Sequence, residues 1–170
     1  MDKVKKEDKK KFAEALKQPL ELCLCVILVA IVLVTFAQVL FRYIFHLSLA
    51  WSEELARYLF LWLAALAAAY AFKTKSHFAL RFLVDRLGKK LQNLIGTLVV
   101  FIVSGFLVIF VWKSVEYTIG MAKQVSPSIQ MSMAVPYSSV VVGGILMLYY
   151  VLRNWWSDIH SKNKEDNQLQ

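Results

Sequence analysis

The first two apolar runs of this chain are separated by residues 41–58, which have the sequence FRYIFHLSLAWSEELARY. The run Leu20–Leu40 precedes this stretch and the run Leu59–Phe72 follows it. The charged residues between the two runs are Arg42, Glu53, Glu54 and Arg57. Because the flanking runs look like parts of membrane spans, we expect these charges to lie where two helices enter or leave a bilayer. Charge at that depth is unfavourable, so it indicates a role for this corner.

The composition places the whole chain among integral membrane proteins. Of its 170 residues, 58% are hydrophobic, and only six are glycine and three proline, which excludes disordered, collagen-like and small disulfide-bonded classes. The net charge is +8, but the basic residues flank apolar blocks and form no aromatic-bearing face, so nucleic-acid binding is not indicated. Cys23 and Cys25 lie two residues apart inside the first apolar block, where we expect them to be small apolar filler.

The apolar blocks predict an all-α integral membrane protein with four transmembrane helices and additional interfacial amphipathic helices. One membrane domain is assigned to residues 19–156. Its spans are predicted at about residues 20–41, 52–72, 93–113 and 135–153. No cleavage site with small residues follows the first block, so we expect that block to remain as the first span.

Three segments outside the spans are assigned separately. Residues 1–18 form a lysine-rich arm, for which a short helix on the membrane surface and a solvated tail both remain open. Residues 76–91 carry apolar side chains at helical spacing and predict an interfacial amphipathic helix. Residues 157–170 are polar and are predicted to be a disordered tail.

The distribution of basic residues predicts the orientation of the chain. The arm holds seven, the segment 73–90 holds six, and the region from Arg153 onward holds three. The opposite side holds only four. Since basic residues concentrate on the cytoplasmic side, both termini and the amphipathic segment are predicted to be cytoplasmic. The corner at residues 41–58 then faces outward.

The corner contains a candidate contact site for a partner. Glu53 and Arg57 are spaced four apart in the order that favours an ion pair on a helix surface. Because the connection between the first two spans is short, we expect Arg42 to lie near these charges. An ion pair at this depth is offset by desolvation, so we interpret the group as a device for fixing geometry or docking a partner. The candidate corner residues are Arg42, Trp51, Glu53, Glu54 and Arg57.

Two further groups of residues are candidates for packing and contact. Small residues at helical spacing allow close approach of another helix, although alanine is also a common helix former. The candidate packing residues are Ala64, Ala65, Ala68, Ala69, Gly143 and Gly144. The loop after the third span carries methionines, which suit an adaptable protein contact or serve as simple loop filler. The candidate loop residues are Met121, Met131 and Met133.

No catalytic or metal-binding group is predicted. The three histidines, His46, His77 and His160, lie outside the predicted spans, and the sequence offers no Ser/His/Asp or Cys/His set, no Gly-rich phosphate loop and no metal-ligand spacing. No charge is expected near a span midpoint, where transporters hold ions and substrate, and Lys113 and Glu116 are spaced to pair just beyond the third span. These features favour a subunit that supports another membrane protein.

The chain resembles the small, Q-type (DctQ-like) membrane subunit of tripartite ATP-independent periplasmic (TRAP) transporters. The resemblance covers roughly residues 20–153 and is most specific in FRYIF and WSEELARYLFLWLAALAAAYAFK. The matching residues are Arg42–Tyr43, Trp51, Glu53, Glu54, Arg57, Trp62, His77, Asp85 and Pro136–Tyr137. One departure is Ala67–Ala69, where a glycine is expected; alanine also permits close packing.

The resemblance implies a non-enzymatic role in a complex of the bacterial inner membrane. A periplasmic binding protein is expected to deliver an organic acid to a large multi-span subunit, which moves it inward with sodium. The small subunit is then expected to scaffold the large one, to hold no cofactor, and to leave the sodium site to its partner. The family's familiar substrates are sialic acid and four-carbon dicarboxylates, of which we favour sialic acid.

Two other classes of function stay open at the level of sequence. A stand-alone, homo-oligomeric small transporter predicts uptake by this chain alone. A membrane anchor for a redox enzyme predicts a haem or quinone signal, against which the positions of the histidines argue.

Overall fold

The computed structural model of the protein describes residues 19–47, 49–74 and 89–166. The basic arm of residues 1–18, most of the amphipathic segment 76–91 and the last four residues lie outside the described residues. The predictions made for those parts therefore remain predictions.

Four α-helices make up most of the described chain. They are α1 (Pro19–Ile44), α2 (Ala50–Lys73), α3 (Lys89–Met121) and α4 (Ala134–Asp166). Each contains a stretch long and apolar enough to cross a membrane, which confirms the predicted all-α fold with four spans. Within the described ranges, the sole β-type pairing outside the helices is an isolated bridge between Val125 and Ser132.

The first two helices follow the prediction closely, whereas α3 is longer than predicted at both ends. It begins at Lys89, inside the segment assigned to the amphipathic helix, and ends at Met121, eight residues after the predicted end. The added C-terminal turns pack on α4, where the rings of Tyr117 and Tyr137 meet edge to face at 5.1 Å between centroids. Packing of this kind keeps polar turns helical although they lack an apolar period.

The fourth helix also differs from the prediction at its end. It continues to Asp166 and so enters the segment 157–170 that the sequence analysis predicts to be disordered. Helix extension adds one hydrogen bond per residue once a helix has been nucleated, so a helix that is packed along its first half extends readily into polar sequence.

The helices pack side by side in the order α1–α2–α4–α3. Glu21 in the first turn of α1 and Lys73 in the last turn of α2 approach to 3.9 Å, so these two helices are antiparallel. Tyr117 and Tyr137 join the end of α3 to the start of α4 in the same way. The fold is therefore two antiparallel helical hairpins in contact through α2 and α4.

The two central helices, α2 and α4, run parallel. The Tyr58 hydroxyl near the start of α2 lies 3.3 Å from the Met133 sulfur, just before α4. Near the other end, Asn154 Nδ2 donates to the carbonyl oxygen of Phe72 at 2.9 Å. We call the end with residues 45–47 and 122–133 the loop end, and the end with Pro19 and Asn154 the terminal end.

The row of helices buries little apolar surface. Among the described residues, the buried apolar side chains include Tyr58, Leu66, Ala69 and Leu107. α1 has no buried residue at all. Because a row of helices has two broad sides and two edges, most of its apolar surface must be covered by lipid or by another protein.

Candidate partner-docking site

Glu54 is the central residue of the loop end. It is 7% exposed, and it is the one buried charged residue in the described part of the chain. Its Oε1 accepts hydrogen bonds from the hydroxyls of Tyr58 and Ser126. Its Oε2 accepts from the backbone N–H groups of Ser128 at 3.0 Å and Ile129 at 3.1 Å. Four donors from two parts of the chain therefore satisfy this carboxylate without a cation.

The loop that Glu54 holds is also ordered by its own backbone. The Ser126 N–H donates to the Met131 carbonyl at 2.9 Å, and the Met133 N–H donates to the Gln124 carbonyl at 2.9 Å. Gln130 has a φ of 58°, a left-handed conformation that closes the turn between these bonds. The loop is therefore compact and is bound to the first turn of α2 through Glu54. Its outer residues have a fixed position relative to that helix.

The three methionines predicted to form a contact surface are half-buried. Met133 lies against the Tyr58 hydroxyl, and the Met131 carbonyl bonds within the loop. The exposed residues of the loop are instead Ala122, Lys123, Gln124, Val125, Pro127, Ser128 and Gln130. The outer surface of this loop is thus mostly polar, and Met133 connects it to α2.

The exposed charged residues of the corner differ from Glu54 in their exposure and in their bonding partners. Glu53 Oε1 and Arg57 Nη2 form the predicted ion pair at 3.3 Å, and both side chains point to the outside. Arg42 is also exposed. No ion pair between Arg42 and either glutamate is present in the described residues, because Glu54 is saturated by the loop and Glu53 pairs along its own helix.

The turn between α1 and α2 exposes a group of large apolar side chains next to these charges. Two backbone bonds close the turn, from Phe45 N and Leu47 N to the Phe41 carbonyl, both at 3.2 Å. We define the corner surface as Phe41, Tyr43, Ile44, Phe45, Leu47 and Trp51, all of which are exposed. Together with Arg42, Glu53 and Arg57, it forms a mixed apolar and charged surface outside the row.

The small residues in the middle of the row mediate close helix contacts. A Cβ added at Gly143 would lie 2.9 Å from both the Cβ and the carbonyl oxygen of Ala65, so α2 and α4 touch there through their backbones. A Cβ at Gly144 would lie 2.8 Å from Val111 Cγ2 of α3. Gly143 thus allows the close approach of α2, and Gly144 allows the close approach of α3.

The alanines of α2 divide between a packed side and an open side. Ala69 is fully buried, and Ala65 and Ala68 are half-buried. Ala64 lies on the exposed side, although its spacing to Ala68 is the same as that of Ala65 to Ala69. The alanine pattern predicts a close contact, but it cannot say which of the two alanine series faces the neighbouring helix.

Sequence reasoning missed the donors to Glu54 and the polar contacts of the terminal end. Ser126, Ser128 and Ile129 lie more than 70 positions after Glu54, so no local pattern connects them. Asn154 likewise bonds a residue 82 positions earlier. A signal was present only in the residue types, since a glutamate flanked by apolar sequence needs donors from elsewhere in the fold.

The described residues contain no group of three or more histidine, cysteine, aspartate or glutamate side chains arranged to hold a metal ion. The loop end therefore combines a satisfied internal carboxylate, an exposed ion pair and exposed apolar side chains. This arrangement positions surfaces for contact with another molecule.

Comparison with known proteins identifies the relatives of this chain. The family model described as tripartite ATP-independent periplasmic transporters, DctQ component, matches residues 31–161. A TRAP transporter small permease protein of Haemophilus influenzae is 27% identical over 138 residues, which cover 79% of this chain and 84% of that protein.

Two longer permeases contain a similar region. The isethionate TRAP transporter permease protein DctMQ of Oleidesulfovibrio alaskensis is 30% identical over 136 residues, which cover 75% of this chain but 21% of that protein. The sialic acid TRAP transporter permease protein SiaT of H. influenzae is 34% identical over 84 residues, covering 49% of this chain and 13% of that protein. The chain thus spans about a fifth or less of these two relatives.

Proposed function

Because the chain belongs to the family of DctQ components of TRAP transporters, we propose that it is the small membrane subunit that scaffolds a large permease subunit. The chain is a multi-pass protein of the inner membrane. The family match over residues 31–161 is the observation that carries the proposal. The complex takes up an organic acid, and this chain has no enzymatic activity of its own.

The open row of helices supports a scaffolding role. A transported solute needs a site enclosed by protein near the middle of the bilayer. The packing order α1–α2–α4–α3 instead gives a layer one helix thick, with broad surfaces on both sides. The large subunit therefore carries the substrate and the sodium ions, and this chain carries neither substrate nor cofactor.

The loop end supplies surfaces for partners. Arg42, Trp51, Glu53 and Arg57 lie exposed in or beside the corner surface and contact the large subunit. Glu54 acts indirectly, because it fixes the position of the loop and of the first turn of α2. This division of roles explains why two adjacent glutamates occur where a single surface charge would suffice for docking.

The orientation follows from the bias of basic residues. The terminal end lies in the cytoplasm and the loop end in the periplasm. The ordered loop of residues 122–133 then faces the side on which a substrate-binding protein acts. Its exposed polar residues form a contact for that binding protein. Met121, Met131 and Met133 are half-buried and are less accessible to it.

The substrate is an organic acid, and sialic acid is the first candidate. One relative is named for sialic acid and another for isethionate, although both match this chain at about the same identity. The region shared with this chain is therefore not the part that selects the substrate. Sodium drives uptake through the large subunit.

Reconstitution tests the whole proposal. Vesicles that contain this chain alone should accumulate no organic acid. Vesicles that contain it with the large permease subunit should accumulate sialic acid when a sodium gradient and the binding protein are added, and vesicles with the large subunit alone should accumulate less. Uptake of any organic acid by this chain alone would contradict the scaffold role.

A further inference from the structure

An ion pair lies on the exposed side of α3, at one edge of the row. Lys113 Nζ and Glu116 Oε2 are 2.8 Å apart, and their side chains are 71% and 63% exposed. The apolar block that ends at Trp112 predicts a position for these residues just beyond the third span. Because α3 continues to Met121, the pair instead lies well within the helix.

The depth of this pair follows from the packing around the two glycines of α4. Gly144 packs on Val111 of α3, and Gly143 packs on Ala65 of α2. These four residues therefore share one level along the helix axes. Lys113 lies two residues after Val111, a rise of about 3 Å toward the loop end.

That level lies between the charged residues at the two ends of α2. Along α2, Ala65 is about 16 Å from Glu54 at the loop end and about 12 Å from Lys73 at the terminal end. The separation of these two charged levels, roughly 28 Å, matches the hydrocarbon thickness of a bilayer. The expectation that no charge lies near a span midpoint stays a prediction, and Lys113 and Glu116 lie within the part of α3, Ile95–Met121, that is long and apolar enough to cross a membrane.

A charged pair at this depth needs a protein surface opposite it. Ionisable side chains inside a membrane almost always face other protein or a water-filled cavity. Within the described part of the chain, the ion pair uses one of the three N–H donors of Lys113 and leaves acceptor sites on Glu116. Lipid tails offer no partner to either group, whereas a neighbouring protein does.

We propose that the α3 face carrying Lys113 and Glu116 is a second surface, distinct from the corner surface, on which the large permease subunit docks. This inference rests on the proposed function and locates its interface. α4 packs on the other side of α3, so this face is directed away from the rest of the row. Phe106 and Ile109 follow the same side of the helix and are exposed, so the pair is bordered by apolar side chains.

The partner surface has a defined chemistry. It presents carbonyl or carboxylate oxygens to the Lys113 ammonium, and N–H or O–H donors to the Glu116 carboxylate. In DctMQ, the region similar to this chain belongs to a longer permease chain, so such a neighbour is available there within one protein. The alternative partner for this α3 face is a second copy of this chain, with Lys113 of each copy facing Glu116 of the other.

Photo-crosslinking identifies the occupant directly. The full chain, with benzoylphenylalanine in place of Ile109, is co-expressed with the large permease subunit of the same organism. The expected product is an adduct with the large subunit that disappears when this subunit is not expressed. An adduct with a second copy of the chain overturns the inference, as does the absence of any protein adduct while the two subunits still co-purify. If the unmodified subunits do not co-purify, the proposed function itself fails and the inference fails with it.

A pair of double variants tests the energetic role of the ion pair. Lys113→Leu with Glu116→Leu should reduce co-purification of the large subunit about tenfold, a loss of about 1.4 kcal/mol. The matched control, Lys113→Arg with Glu116→Asp, keeps both charges and should retain the complex. The leucine variant should still insert and remain monodisperse in detergent, because it only adds apolar surface. Unchanged co-purification of the leucine variant would overturn the inference.

Discussion

The carboxylate of Glu54 accepts a hydrogen bond from the hydroxyl of Ser126, which lies 72 positions later in the chain. This bond joins the first turn of α2 to the loop between α3 and α4, and so connects the two helical hairpins at the loop end. Among the described residues, Glu53, the adjacent residue, bonds to Arg57 alone, on its own helix, and is exposed. The two glutamates therefore differ in what their substitution should do.

Replacing Glu54 by glutamine should loosen the loop. A glutamine amide keeps one oxygen acceptor, but its NH₂ group cannot accept from Tyr58, Ser126 or the loop backbone. We expect the free energy of unfolding in detergent to fall by about 1.5–3 kcal/mol, the usual contribution of a hydrogen bond to a charged group. Hydrogen exchange at the Ser128 and Ile129 amides should become faster.

The matched control for this substitution is Glu53→Gln. Because Glu53 is exposed, its loss should change the free energy of unfolding by no more than about 0.5 kcal/mol and leave loop exchange unaltered. Equal effects of the two glutamine variants on stability and exchange would show that Glu54 does not hold the loop.

The contrast between Glu53 and Glu54 also marks the limit of sequence reasoning. Helical spacing predicts the Glu53–Arg57 pair, since both partners lie on one helix, and the structure confirms it. The partners of Glu54 come from a loop beyond α3, and only the packing of α2 beside α4 brings them together. Local contacts could be predicted from the sequence, whereas contacts created by helix order could not.

Reversing the charge of Glu53 tests the corner as a docking surface. In Glu53→Lys the helix loses its ion pair and places two positive side chains four residues apart, which costs only a few tenths of a kcal/mol on a helix surface. The variant should therefore insert and fold normally. Co-purification of the large subunit and sialic acid uptake by the complex should both fall, because the partner surface was complementary to a negative charge.

The companion variant Glu54→Lys should also impair assembly, but through the fold. A lysine there removes the acceptor for the loop and introduces a buried cation, so loss of thermal stability should accompany loss of the complex. Unchanged assembly and transport in both lysine variants would defeat the hypothesis that this corner joins the two subunits.

The proposed orientation predicts different chemical accessibility at the two ends. Val125 is an exposed residue of the loop, and Ser157 is exposed on α4 beyond the terminal-end contacts. After replacement of Cys23 and Cys25 by alanine, Val125→Cys should react with a membrane-impermeant maleimide in spheroplasts. Ser157→Cys should react only after the membrane is permeabilised. The reverse pattern would place the termini in the periplasm and contradict the charge bias.

The apolar blocks predicted the existence of all four helices, because hydropathy over about 20 residues is a property of the local sequence. They did not predict the alignment of α3 with α4, which depends on Gly144 receiving Val111. Lys113 lies within the apolar part of α3, Ile95–Met121, whereas the sequence predicts it at the boundary of the third span. A glycine pair indicates close packing somewhere, but its partners are fixed by side-chain shape on the other helices.

Substitution of Gly143 tests this packing. An alanine Cβ there would meet the Ala65 carbonyl oxygen at 2.9 Å, and backbone atoms cannot move aside as a side chain can. We therefore expect Gly143→Ala to separate α2 from α4 and to lower the free energy of unfolding by about 1–3 kcal/mol, the usual range for overpacking. Thermal unfolding in detergent measures this loss.

Alanine substitutions at two other glycines serve as comparisons for Gly143→Ala. At Gly144 the nearest atom to an added Cβ is a methyl group of Val111, at 2.8 Å, so the clash is relieved in part by side-chain movement and Gly144→Ala should destabilise less. At Gly105 no atom lies within 4 Å, and alanine there should stabilise α3 by up to about 1 kcal/mol through its higher helix propensity. The expected order of stability is therefore Gly105→Ala above the natural chain, then Gly144→Ala, then Gly143→Ala. Equal stability of Gly143→Ala and Gly105→Ala would show that the close contact between α2 and α4 does not determine how these helices are aligned.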